Sequence, residues 1–138
     1  MKSINKKILI FSFLLAACFF ILSGYENTPQ KIAIAAKGET TDSQVESQGG
    51  RAQWLILFDD NGELIEALEN PFYQEQSQAG AKSAEFLEKK NVTIFVAGNI
   101  GNNMARALDD FDITFISFTG TVEEAIAHVI NTISNFYE

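Results

Sequence analysis

Trp54-Leu55-Ile56-Leu57-Phe58-Asp59-Asp60-Asn61-Gly62-Glu63-Leu64-Ile65-Glu66-Ala67-Leu68-Glu69 is the stretch on which the fold turns. Trp54 to Phe58 is apolar without interruption, the pattern of a strand covered on both faces. Asn61-Gly62 between two apolar runs predicts a hairpin, because both residues tolerate positive φ. Glu63 to Glu69 is the returning strand, and its charges put it at a sheet edge. Asn70-Pro71 ends it, since the residue before a proline disfavours continued regular structure.

Working outward toward the N-terminus, Ile32-Ala33-Ile34-Ala35-Ala36 reads as a short central strand, apolar on both faces. The polar, Gly-, Ser- and Thr-containing stretch from Lys37 to Gly50 then predicts a long, weakly ordered loop, of the length that in compact domains is functional or disordered. Toward the C-terminus, helix and strand alternate. Ser77 to Lys90 is helical, with Gly80, Ala84 and Leu87 on one face and Lys89 and Lys90 complementing the C-terminal dipole. Val92 to Ala97 is a β-branched and aromatic strand. Gly98-Asn99-Ile100-Gly101 turns into a short helix carrying Met104, Ala105 and Leu108, and Ile113 to Phe118 is the last strand. Thr121-Val122-Glu123-Glu124 is a capping box that opens a final helix burying Val122, Ile126, Val129, Ile130 and Ile133.

The element order is therefore βββαβαβα. It predicts a single α/β domain whose five-stranded mixed sheet has strand order 3-2-1-4-5 and helices on both faces, the ribonuclease H-like arrangement. The first, third, fourth and fifth strands run parallel and the second opposes them. The 37–52 loop, Asn70 to Tyr73, Gly98 to Asn103 and Thr119 to Thr121 then emerge at one edge, the C-terminal ends of the parallel strands, where α/β sheets bind ligands.

At 138 residues the chain has room for one such domain. Residues 1–24 read as a signal peptide or membrane anchor: Lys2, Lys6 and Lys7 precede an apolar run from Ile8 to Leu22 broken only by Ser12. Fifteen helical residues span about 22 Å, short of the roughly 30 Å hydrocarbon core of a bilayer, which favours a cleaved signal over a full span. Leu15-Ala16-Ala17-Cys18 resembles a lipoprotein lipobox, with Cys18 as the lipidated residue. Phe19 to Leu22 prolongs the apolar run where a polar tether is usual, and the alternative is that Cys18 is only a small apolar residue of the leader. Either way the domain, residues 31–138, is expected outside the cytoplasm, touching membrane only through its N-terminal segment.

Cys18 is the sole cysteine, so the folded part has no disulfide, thiolate cluster or cysteine nucleophile. Beyond residue 24 remain seven Lys or Arg against eighteen Asp or Glu, a net charge of −11. Such a body repels nucleic acid. Enzymatic readings find no catalytic residues. A two-metal nuclease needs carboxylates on its first strand, and that strand is Ile-Ala-Ile-Ala-Ala. Ala79-Gly80-Ala81-Lys82-Ser83 lacks the glycine spacing of a P-loop and reads as an ordinary helix start. His128, the only histidine, falls away from the apolar arc of the last helix and faces solvent. Asp59 and Asp60, and Asp109, Asp110 and Asp112, fit solvated turns and match no calcium loop. Asn91-Val92-Thr93 matches a glycosylation sequon at a strand start, read as incidental. No set of metal ligands stands out.

An anion site is the better candidate. Gly98, Asn99, Gly101 and Asn102 lie where a strand end leads into a helix, a place where backbone N–H groups converge on negative charge. Gly50 and Arg51 bring a guanidinium to the same edge. The competing reading of Arg51 is a surface ion pair with a nearby acid.

Taken in order, Lys31-Ile32-Ala33-Ile34-Ala35, the Ser43 to Ala52 loop, Glu69-Asn70-Pro71, Gly80-Ala81-Lys82-Ser83-Ala84, Val96-Ala97-Gly98-Asn99-Ile100-Gly101 and Gly120-Thr121-Val122-Glu123-Glu124-Ala125 resemble the dinitrogenase iron-molybdenum cofactor biosynthesis domain. That family includes NifX-type carriers and the C-terminal part of NifB-type proteins, and the similarity spans about residues 31 to 130. The resemblance implies a non-catalytic domain that binds or delivers an iron–sulfur or iron-molybdenum cofactor precursor. It also implies a site at Gln48, where the family's His-Phe-Gly-Arg-Ala carries a histidine, the implied cluster ligand. Gly50, Arg51 and Ala52 match that motif, but Gln48 replaces the histidine and Gly49 the phenylalanine. Glutamine is a poor iron ligand. A second expectation therefore stands beside the first: an exported small-ligand or protein-interaction module that keeps the fold and has lost the metal.

Overall fold

The computed structural model describes residues 28–137. The targeting segment at 1–24 and the lipobox at Cys18 lie outside the described residues. Five strands, β1 (Ile32–Ala36), β2 (Trp54–Phe58), β3 (Leu64–Glu69), β4 (Ile94–Ala97) and β5 (Thr114–Ser117), form one sheet in the order β3-β2-β1-β4-β5. β1 pairs antiparallel with β2 and parallel with β4, β2 pairs antiparallel with β3, and β4 parallel with β5. The expected α/β class, strand order and directions are all present.

Alternation along the central strands builds a core on each face. Ala33 and Ala35 of β1, Leu55 and Leu57 of β2, and Phe95 and Ala97 of β4 turn toward helices α1 (Ala79–Lys89) and α2 (Asn102–Asp110), meeting Ala84, Leu87, Met104 and Leu108. Ile32, Ile34, Ile56, Phe58, Ile94 and Val96 turn the other way, onto Val122, Ala125, Ile126 and Val129 of α3 (Val122–Phe136). The alanines on the first face let two helices approach closely; the larger residues on the second fill the space under one. Each fully buried Leu, Ile or Phe contributes about 1.5–3 kcal/mol, so burial on both faces holds the sheet between its helices.

Two local expectations change. The Asn61-Gly62 turn is longer than a two-residue hairpin: only Gly62 takes positive φ (+81°), and a bulge interrupts the pairing at Leu57/Phe58. The Asp59 carboxylate organises this loop, accepting from the N–H groups of Asn61 and Glu63 at 2.9 Å each, which removes the need for a left-handed asparagine. The stretch from Lys37 to Gly50 is not loose either. Lys37 donates to Gln44 O, Glu46 to Ala35 O, Val45 to Gly120 O and Gly49 to Asn99 O, and it receives from Gly98 and Val122. Its backbone groups are bonded in turn to β1, to the end of β4 and to the start of α3, so it is an extended rim of the sheet.

Candidate functional site

That rim carries one wall of a cavity of about 600 Å³, within the range of small-ligand sites. Gln48 pairs with Asn99 in a short parallel bridge. Arg51 N–H donates to Gln48 O at 3.0 Å, closing a 3₁₀ turn over Gly49–Arg51. The start of α1, Gln78 to Gly80, forms the second wall. The third is Asn99 to Met104, the turn after β4 with the first residues of α2.

Close approach of these three segments rests on two glycines. A Cβ on Gly50 would lie 2.8 Å from Gly80 Cα, and one on Gly80 would lie 2.8 Å from Met104 Cβ. Either contact is shorter than real Cβ atoms show, so the glycines let α1, α2 and the 3₁₀ turn converge. Gly101 differs. Its φ of −76° suits any residue, and a Cβ there would meet nothing within 4 Å. Neither conformation nor internal packing demands a glycine at this position, where the chain borders the cavity.

Both helices present uncapped N-termini to the cavity. Among the described residues no side chain caps the start of α1 or α2, and neither first turn contains an acid. These ends carry partial positive charge and unpaired donors. Gln78, which precedes α1, is held in the left-handed region at φ 58°. Among the described residues, five carboxamides, Gln48, Gln78, Asn99, Asn102 and Asn103, line the walls with Arg51, and no carboxylate does. In a chain whose net charge beyond residue 24 is −11, this patch has no carboxylate among the described residues and offers N–H donors beside carboxamide oxygens.

Of the residues singled out from sequence, Gln48, Gly50, Arg51, Asn99, Gly101 and Asn102 border this one cavity. Gly98 does not. Its N–H is used by Glu46 O, its carbonyl accepts from Ser117 Oγ, and a Cβ would lie 2.8 Å from Ser47 Cα. It is a packing glycine beneath the rim and has no donor left for a ligand. Arg51 makes no ion pair among the described residues: Nη1 donates to the carbonyl of Glu75 at 2.9 Å, while the Glu75 carboxylate pairs with Lys82 at 3.0 Å. Asn70 is buried behind the wall, and Thr121 is engaged in the α3 cap. His128 is exposed, 5.3 Å from the Phe118 ring between centroids.

Sequence reasoning missed the α1 wall. From sequence Ala79 to Ser83 reads as an ordinary helix start, yet Gln78, Ala79 and Gly80 border the cavity. A signal was available: Gln78 precedes the helix in place of a capping Ser, Thr, Asp or Asn. Gly49 is also explained. A Cβ there would lie 2.8 Å from Ala97 Cβ and 2.9 Å from Phe95 Cε1, so this backbone admits no larger residue.

The sequence signature described as dinitrogenase iron-molybdenum cofactor matches residues 30–132. The chain belongs to that family. Members of the dinitrogenase iron-molybdenum cofactor family are linked by that description to the handling of this cofactor. Among solved structures, the apo form of the orange protein from Desulfovibrio gigas superposes with a TM-score of 0.70 at 24% identity, over 75% of this chain and 88% of the other. A Thermotoga protein assigned to NifB gives 0.64 at 29% identity, over 74% and 88%. A Methanocaldococcus jannaschii protein assigned as a dinitrogenase gives 0.54 at 16%, over 74% and 88%. These likenesses establish the fold. No curated protein matches at a significant level.

For a metal–sulfur cluster as cargo, the donor set can be tested directly. Among the described residues no group of three or more His, Cys, Asp or Glu could hold a metal ion, and the one sulfur at the cavity is the thioether of buried Met104. The walls therefore suit an anion that brings its own inner ligands, held from outside by N–H donors and one guanidinium. They do not suit a bare metal ion that needs thiolates.

Proposed function

We propose that this domain is a non-catalytic carrier that takes up an anionic metal–sulfur cofactor, or a precursor of one, as exchangeable cargo in the cavity. The observation that carries the reading is the convergence of two uncapped helix N-termini and Arg51 on one acid-free site. Membership of the dinitrogenase iron-molybdenum cofactor family supports the same cargo class. Holding by hydrogen bonds and charge, with no covalent ligand from the protein, leaves the cargo free to be passed on. Gln48 stands where the family motif carries histidine, and its carboxamide serves as one more donor.

Anaerobic titration with a water-soluble synthetic iron–sulfur cluster and with molybdate tests this. Arg51→Ala weakens binding by about 1.5–3 kcal/mol, the range for hydrogen bonds to charged groups. Gln48→His strengthens binding of the iron-containing probe and leaves molybdate unchanged. Equal, weak responses from wild type and both variants would favour a second reading, an exported small-ligand or interaction module without metal, to which the Gln48 replacement points.

We further propose that the domain works outside the cytoplasm, on the strength of the basic start and the apolar run from Ile8 to Leu22. A reporter enzyme active only after export, fused beyond Glu138, is expected to work; activity only from a cytoplasmic reporter defeats the proposal. Lipid labelling abolished by Cys18→Ser identifies a lipoprotein, and absence of label in wild type removes that option.

A further inference from the structure

Asn70 and Ser83 are the polar side chains buried completely among the described residues, each 0% exposed. Burying two polar groups costs free energy unless every bonding capacity is met. Here it is met in one direction. Asn70 Nδ2 donates to Ser83 Oγ at 2.9 Å and to Ala52 O at 3.0 Å, Ser83 Oγ donates to Gly50 O at 3.3 Å, and Asn70 Oδ1 accepts from Phe72 N–H at 3.0 Å. The two backbone carbonyls reached by this network, Gly50 O and Ala52 O, flank Arg51 on either side. Ser83 belongs to α1, whose N-terminus forms a cavity wall, and Asn70 opens the β3–α1 connection, whose Glu75 carbonyl receives the guanidinium itself. The guanidinium and both carbonyls that flank Arg51 are thus held from α1 or from the segment that leads into it, while Gly49 at the start of the turn is tied to Asn99 O on the opposite wall.

We infer that Asn70 and Ser83 are positioning residues: they lock the Arg51 turn to α1, so that the guanidinium and the α1 N-terminus present their charge to an anion as one rigid unit. A general stabilising role would not require both bonds to land on the carbonyls that bracket the one cation of the site. An apolar pair of equal volume would fill the same space. The inference rests on the anion-carrier reading above and deepens it by naming what holds the charge in register.

A double-mutant cycle on the full-length chain tests it, with equilibrium dialysis against molybdate and against a synthetic iron–sulfur cluster, and with thermal melts run in parallel. Ser83→Ala is chosen because it removes the hydroxyl with little change in volume, and Asn70→Ala is the second variant. Arg51→Ala is expected to lower affinity at least about tenfold, and Ser83→Ala about threefold or more. The double variant Arg51→Ala/Ser83→Ala is expected to bind no more weakly than Arg51→Ala alone, because Ser83 acts through the arginine. Additive losses, or a Ser83→Ala variant that melts lower yet binds as wild type, would make the network a fold staple and overturn the inference while sparing the carrier reading. Failure of wild type to bind either probe, or no effect of Arg51→Ala, overturns the carrier reading itself and the positioning role with it.

Discussion

The molecule starts its helices in two ways. At α3, Thr121 Oγ1 accepts from Glu124 N–H at 3.2 Å and the Glu124 carboxylate accepts from Thr121 N–H at 2.9 Å, with Glu123 adding a second acid to the first turn. At α1 and α2 there is no side-chain cap and no acid in the first turn. A helix N-terminus favours a negative partner. α3 carries that partner in its own sequence, on the face of the sheet away from the cavity; α1 and α2 leave the place to whatever enters between them. Local stability and ligand capacity are therefore divided between the two faces of the sheet, one helix start closed by its own cap and by carbonyls of the rim, two left open toward the cavity.

The largest expected effect comes from driving the open pair apart. Gly80→Val places a branched side chain against Met104, where even a Cβ would sit 2.8 Å from Met104 Cβ. Overpacking of this kind costs about 2–3 kcal/mol, read as a lowered denaturation midpoint, and anion binding should be lost with it. Retained binding would mean that convergence of the two helix starts is not what makes the site. Thr121→Ala is the counterpart at the closed end. It should cost about 1 kcal/mol of stability and leave anion affinity within twofold; a large loss of affinity would mean that the rim, bonded to the start of α3, transmits the change to the cavity wall it carries. The smallest change is Gly101→Ser, which offers α2 the cap it lacks at a position with extended backbone and free space for the side chain. Stability should rise by a few tenths of a kcal/mol while affinity falls, since the new hydroxyl competes for the N–H groups that face the cavity. A gain in both would show that an open helix start is no requirement.

Much of this was legible in residue order. The apolar runs of β1, β2 and β4 and the capping box of α3 follow from periodicity and local bonding, and the hairpin after β2 with the helical crossovers that follow makes the strand order legible. The rim from Lys37 to Gly50 was misjudged because its order comes from partners far along the chain, Gly98, Gly120 and Val122, and no window of local sequence contains them. The site divides in the same way. Arg51, Asn99 and Gly101 could be placed at one sheet edge by topology. Gly98 was misassigned because a glycine that receives a neighbouring backbone and a glycine that admits a ligand have the same letter. Asn70 and Ser83 lie thirteen residues apart and on different elements, so only the folded chain reveals them as a pair.

Gln78 has a consequence for anyone who would engineer this scaffold. A glutamine at φ 58° sits in a region that costs ordinary L-residues roughly 1–2 kcal/mol, and glycine would occupy it without strain. A redesign guided by thermal tolerance alone would make that exchange early. It would gain a sturdier helix start and erase one of the five carboxamides around the cavity. Variants selected for heat resistance and variants selected for cargo retention should therefore part company at residue 78, and sequencing the survivors of each selection would read out what this position is kept for.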